Sequence, residues 1–194
     1  LHTPLKRSLC CGNRSVIVSA AASLMGGAYL HNISVKSGGT LDPGKSVASI
    51  RSGSLKSDGS VSCEAGSTTK FNLRINSGTA SSTSIEAKSL ALNGDLVVSM
   101  LSMYVNKAKA GDTFTLWTVN TFSGTPTSVT LPELPDGLEW NTDSLFLPTG
   151  VLKVQAATGI RNLAADATFT GDVYTVNGIK VGTVTTTKNG IAQA

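Results

Sequence analysis

Short runs of alternating apolar and polar residues fill most of this chain, separated by turn residues. Val16/Val18, Ile33/Val35, Val61/Cys63 and Phe71/Leu73/Ile75 each recur with a period of two. That period sets the named residues on one face of a strand and their polar neighbours on the other. Two of the runs are versions of one unit. VIVSAAASL, residues 16–24, lies over ISVKSGGTL, residues 33–41, an offset of 17 positions. A third copy, residues 61–68, matches residues 33–40 at an offset of 28. Repeated units of strand, tight turn and strand predict a chain wound into stacked coils. The step from 17 to 28 predicts an insertion, placed between Asp42 and Leu55.

The turns carry their own chemistry. In Asp42-Pro43-Gly44, Pro presets φ and Gly relieves the next position. Ala20-Ala21-Ala22 has helix propensity, but its counterpart is Ser37-Gly38-Gly39, so a turn is expected there. No segment sustains a helical period with caps, which predicts little or no helix. Asn93-Gly94-Asp95, between Leu90/Leu92 and Leu96/Val98, fits either a hairpin or a coil corner. Residues 111–119 predict a strand, with Val129-Thr130-Leu131 as its expected partner. Residues 131–140 hold two prolines and a glycine, and predict a loop that packs Leu and Trp. Ser144-Leu145-Phe146 and residues 150–154 are expected as closing strands. Residues 173–181 predict a hairpin turning at Asn177-Gly178.

The expected plan is an unpatterned segment at 1–14, a solenoid over 15–154, a linker over 155–167 and a hairpin tail over 168–194. The fold class is all-β: a right-handed parallel β-helix with an antiparallel C-terminal cap or hairpin. A β-sandwich is the alternative, because hairpin signals multiply after residue 90.

Composition supports a β-structure rich in turns. Hydrophobic residues make up 40% of the 194, and charged residues only 14%, below the usual quarter. The net charge is +4. Its cations are scattered without interleaved aromatics, which argues against nucleic acid as a partner. Cys63 falls at an apolar position and is expected as a small buried hydrophobe. Adjacent Cys10 and Cys11 make no disulfide framework. The apolar stretches are too short and interrupted for a transmembrane helix. The run after Lys6-Arg7 is broken by Asn13-Arg14 and Gly26-Gly27 and fits the repeat better than a signal peptide.

Candidate chemistry is sparse. His31 is the one patterned histidine, and no Gly-x-Ser-x-Gly elbow accompanies it, so a corner histidine is expected rather than a Ser–His–acid triad. Glu133, Asp136, Glu139 and Asp143 share one loop region without calcium-loop spacing. Lys36, Arg51, Lys56, Lys70 and Arg74 are the residues that would line a lyase-like basic face. Trp117 and Trp140, the only tryptophans, are the candidates for glycan contact. Asn13-Arg14-Ser15 and Asn32-Ile33-Ser34 match the glycosylation sequon, a pattern too short to carry weight. No catalytic constellation, cofactor site or metal site is expected.

Two resemblances follow from longer stretches. SGGTLDPG (Ser37 to Gly44), AGST (Ala65 to Thr68), GDTFTLWT (Gly111 to Thr118), LPELPDGLEWNTDSL (Leu131 to Leu145) and GVLKV (Gly150 to Val154) occur in this order. Together, over about residues 15–154, they resemble the passenger repeats of autotransporter-type proteins. That resemblance implies a right-handed parallel β-helix serving as a stalk or adhesive surface. DVYTVNGIKVGTV (Asp172 to Val184) is similar to the start of the C-terminal sorting domain of type IX secretion cargo. That likeness, over about residues 160–194, implies transport across an outer membrane; the family's Gly-Tyr-type and final basic strands do not follow here. The expected function is a non-catalytic stalk, spacer or adhesive segment of a larger bacterial secreted or surface protein. The expected partners are glycans, host or cell-surface proteins, and upstream repeats of the same chain. The alternative is a glycan-binding or accessory module of a polysaccharide-degrading enzyme.

Overall fold

The computed structural model describes residues 15–27, 29–44, 53–157, 169–174 and 180–186. The chain divides into two compact units, Leu1–Ala156 and Ala157–Ala194.

The first unit is a parallel β-solenoid. Its first coil holds β1 (Val16–Val18) and β2 (Ser23–Met25). The second holds β3 (Tyr29–Leu30), β4 (Ile33–Val35) and β5 (Thr40–Asp42). The third holds β6 (Ser54–Ser57), β7 (Ser60–Cys63) and β8 (Thr68–Asn76), with β9 (Thr79–Ser82) folded back antiparallel on β8. Next come β10 (Ser84–Leu92), β11 (Asp95–Met100) and the short helix α1 (Ser102–Val105). Then follow β12 (Thr113–Ser123), β13 (Ser128–Thr130), β14 (Leu138–Asn141) and β15 (Thr149–Ala156). One wall stacks β1, β4, β7, β10 and β12, with β3 and β6 continuing it beside β10. The second wall stacks β2, β5, β8, β11 and β13.

The register is the one the repeat predicts. Val16 pairs with Ile33, and Ile33 with Val61. The series continues through Leu90 to Phe122. On the second wall Leu24, Leu41, Thr69, Leu96 and Val129 stand in line. Between the walls, the corner after the first wall stays tight and repeats. Ala21 (φ 60°), Gly38 (φ 76°) and Gly66 (φ 78°) take the left-handed region at equivalent positions. Ala21 N–H donates to Gly38 O at 2.9 Å, and Gly38 N–H to Gly66 O at 2.8 Å. The turn expected at Ala20-Ala21-Ala22 is therefore present.

Extra residues enter at the other corner. Met25 leads almost directly into β3, whereas 11 residues separate Asp42 from Ser54. This is the expected site of insertion, part of which lies outside the described residues. At later levels the same corner carries the β8–β9 hairpin and then α1. Asp42-Pro43-Gly44 turns through Gly44 N–H donating to the Asp42 carboxylate at 2.9 Å. Asn93-Gly94 is a coil corner, since β10 and β11 belong to different walls.

The bore is filled by the alternating positions. Ile33, Val35, Val61, Cys63, Leu90 and Leu92 line the first wall, and Leu41, Phe71, Leu73, Leu96 and Val98 the second, all at most 2% exposed. Val16 packs against this core and Val18 is buried within it. At the C-terminal end β15 runs antiparallel to β12, and β14 antiparallel to β15. The β12–β15 ladder shifts register between Thr115 and Trp117. Leu116 and Trp117 are consequently consecutive and both fully buried. Trp117 stacks on Phe122 (5.2 Å, 8°) and lies 5.9 Å from Phe71.

Three expectations are corrected. Val129-Thr130 does not pair with the 113–123 strand: after the corner at Gly124, β13 joins β11 on the opposite wall. Ser144-Leu145-Phe146 forms a turn, although Leu145 is fully buried. The end of the 131–140 loop belongs to a strand, Leu138–Asn141, while its Leu and Trp residues do pack on the core. The sandwich alternative is not adopted, because both walls are parallel through β13.

The second unit contains an antiparallel pair, β16 (Phe169–Tyr174) and β17 (Lys180–Thr186). The expected hairpin is present with strands reaching further out, and Asn177-Gly178 lies outside the described residues.

The left-handed corner makes a signed prediction. Ala21 carries a Cβ where φ is 60°, a strain of about 1–2 kcal/mol. Glycine's greater unfolded-state entropy offsets about 0.5–1 kcal/mol of any relief. Ala21→Gly is expected to raise stability by about 0.5–1 kcal/mol in urea unfolding, and Gly38→Ala to lower it. An Ala21→Gly midpoint below the parent's contradicts the corner geometry. Gly150 yields a second prediction, because a Cβ built on it would enter the Trp117 indole. Gly150→Ala is expected to cost about 1–3 kcal/mol. An unchanged melting temperature would show that Trp117 does not sit against this backbone.

Candidate functional site

The outer face of the first wall presents polar side chains wherever the inner face presents aliphatic ones. Strand pairing sets Tyr29 beside Lys56, Lys56 beside Glu86, and Glu86 beside Thr118. Two residues further along stand Asp58, just past the end of β6, and Lys88 and Asn120 on β10 and β12. Together these residues line an open depression of about 420 Å³. Tyr29 is 53% exposed.

The charges in this depression are tied between coils. Lys56 Nζ lies 2.7 Å from Glu86 Oε2, and Ser54 Oγ donates to Glu86 Oε1 at 3.1 Å. The Lys56 hydrogen bond holds the Glu86 carboxyl below its ordinary pKa of 4.5. His31 Nδ1 meets Asp58 Oδ1 at 2.7 Å. That hydrogen bond, helped by the His31 and Lys88 charges, lowers the Asp58 pKa from its ordinary 3.8. The Ser57 hydroxyl donates to the backbone carbonyl of His31 rather than to its ring. His31 thus links the second coil to the third from the bend between β3 and β4, two strands of one wall, and not from a corner between walls. Asn32 does likewise, its side-chain oxygen accepting from Ser60 N–H (2.9 Å) and Ser60 Oγ (3.0 Å).

The residues singled out from the sequence fall elsewhere. Trp117 is fully buried and its indole N–H donates to Leu147 O at 3.0 Å. A ring so enclosed offers no face to a saccharide. Trp140 is half-buried, meets Phe114 edge-on at 5.8 Å and donates to Pro132 O at 2.7 Å. Lys56 lies on the first wall, while Lys70 and Arg74 lie on β8 of the second. Lys36 pairs with Glu64 of the next coil, and Arg51 lies outside the described residues. These cations therefore do not form one basic face. Of the acids after residue 131, Glu139 and Asp143 are joined through amides. Gln155 donates to Glu139 at 2.8 Å, and Asn141 donates to Gln155 and to Asp143 at 2.9 and 3.0 Å. Among the described residues no group of three or more His, Cys, Asp or Glu is placed to hold a metal ion. Cys63 is buried as expected; burial pushes its thiol up to about 11, against a hydrogen bond from Thr69. Cys10 and Cys11 lie outside the described residues. No described helix is long and apolar enough to cross a membrane, which says nothing of a β-barrel.

Sequence reasoning missed Tyr29, Lys88, Thr118 and Asn120. Carrying the repeat's offset of 28 back from Ile33 points Tyr29 at Ser57, whereas its partner is Lys56, 27 positions on, so the repeat alone misplaces this strand by one residue. Compared with family models and with curated proteins, the chain matches none.

The intercoil pairs set an acid limit on stability. A carboxylate whose folded pKa is depressed adds stability above its unfolded pKa and loses it as pH falls through the folded value. Asp58 and Glu86 are both of this kind, so their contribution is full at neutral pH and fades below about pH 4. Asp42 works in the opposite direction, since burial raises its pKa. The expected result is a melting temperature that falls from pH 5 to pH 3, and falls less in an Asp58→Asn, Glu86→Gln double variant. Parallel curves for parent and variant would remove these pairs from the account.

Proposed function

We propose that the chain is a non-catalytic segment of a larger bacterial secreted or surface protein, acting as a stalk, spacer or adhesive surface. The observation that carries this reading is the stack itself. Coils repeat in strict register around a bore filled with aliphatic side chains, so each coil is supported by its neighbours alone. Such an array can be lengthened coil by coil, and it presents a regular outer wall. Both properties suit a spacer with a contact surface. The likeness of residues 15–154 to autotransporter passenger repeats supports the same reading. The tail's likeness to a type IX sorting domain supports an outer-membrane or extracellular location.

Antibodies against the purified chain should label intact, unpermeabilised cells of the source organism, and mild protease treatment of those cells should remove the label. Labelling that appears only after permeabilisation would rule out the surface assignment.

A further inference from the structure

We propose that the depression on the first wall binds an uncharged, hydroxyl-rich polysaccharide, with Tyr29 as its stacking ring. The inference rests on the adhesive reading above and names the ligand class.

The backbone excludes one mode of recognition. β6 is paired with β3 and β10, and β10 with β6, β7 and β12. With both edges of β10 and β6 engaged, no extended peptide can add to them as a further strand. Over β6 and β10 a ligand is read by side chains alone.

Those side chains select against charge. Lys56 and Lys88 supply two ammonium groups, and Glu86 and Asp58 two carboxylates, so the formal charge cancels. Lys56 is committed to Glu86, and Asp58 to His31. A polyanion would meet two carboxylates held in their charged form, and a polycation two ammonium groups. An uncharged ligand meets neither penalty. What remains is a dense set of donors and acceptors: ammonium and amide N–H, hydroxyl, carboxylate and amide oxygens. Hydroxyls, which both donate and accept, complement that set. Tyr29 adds a half-exposed ring at the rim, the apolar platform on which the C–H face of a pyranose packs. Thr118 and Asn120, both exposed, stand on the far strand. Neighbouring strands lie about 4.8 Å apart, so the ring and the polar groups are spread across four strands. An open surface of that breadth suits successive units of a chain, not one enclosed monosaccharide.

The test is affinity electrophoresis of the full chain in native gels cast with mannan, xylan or dextran, and in parallel gels with heparin or alginate. Retardation is expected in at least one neutral gel, and it should persist at high salt, because no counterions are displaced. Tyr29→Ala should weaken binding by about tenfold while Tyr29→Phe retains it. Asn120→Ala should weaken it severalfold. Both positions are exposed, so melting temperatures should match the parent's; a variant that melts early is replaced by Tyr29→Ser or Asn120→Ser. Free migration in every neutral gel overturns the inference, as does Tyr29→Ala retarded as strongly as the parent. Stronger retardation by heparin or alginate also overturns it. A chain that labels intact cells yet migrates freely sinks this inference and leaves the surface assignment standing. Retardation of a chain found only inside cells does the reverse.

Discussion

Everything in the solenoid follows from the requirement that each coil lie in register on the next. The parallel ladders satisfy backbone N–H and C=O groups between coils, and a strand displaced by one residue would turn its apolar side chains outward. Val16, Ile33, Val61, Leu90 and Phe122 must therefore share one line. The tight corner enforces this. Its left-handed residue bonds to the equivalent residue above, so the entry of each second-wall strand is fixed by the coil beneath it. Ala21 occupies that position without glycine's freedom, which shows that the ladder outweighs a local strain of about 1–2 kcal/mol.

Only one corner is held this firmly, and the architecture uses the other for variation. The connection after the second wall lengthens from three residues after Met25 to 11 after Asp42, and later admits β9 and α1. None of these additions disturbs the register of the walls, because they leave and rejoin the ladder at the same level. A stack also needs an end. At the C-terminal side the direction of pairing reverses: β15 lies antiparallel on β12, while Leu131, Leu134, Leu138 and Trp140 pack against the core. The bulge beside Thr115 turns Trp117 inward against Gly150, where it stacks on Phe122 and meets Phe71 of the third coil.

The coils were legible in the sequence where corner and strands repeat together. Residues 16–24 and 33–41 are nearly the same phrase, so the offset of 17 gave the true register, and 28 gave the next. Legibility failed where position depends on partners more than 30 residues away. Val129 was assigned to the wrong strand because Ser128–Thr130, exposed throughout, carries no alternation; its place is set by Leu96 on the opposite wall. Leu145 looked like the centre of a strand because a single buried leucine in a turn has the same local pattern. Trp117 stood as a candidate for glycan contact, but a bulge that breaks the period of two encloses it, and nothing in GDTFTLWT marks where the break falls.

The depression was invisible for a more general reason. In a coil the inward residues are constrained by the bore, and their alternation announces them. The outward residues are constrained only by the neighbours that stacking supplies, so no spacing within a coil reveals their company. Tyr29, Lys56, Glu86 and Thr118 become adjacent only after four strands are aligned. The same alignment makes Lys56–Glu86 and His31–Asp58 into braces between coils. Exposed pairs of this kind contribute little each, about 0–1 kcal/mol, so the wall can exchange them without losing the stack. A surface whose chemistry is nearly independent of its fold can take on a ligand while the bore stays unchanged. This is why the outer face of the first wall, and not its enclosed aromatic cluster, is where specificity has room to reside: Trp117 and Phe122 stack on one another, whereas Tyr29 is half exposed.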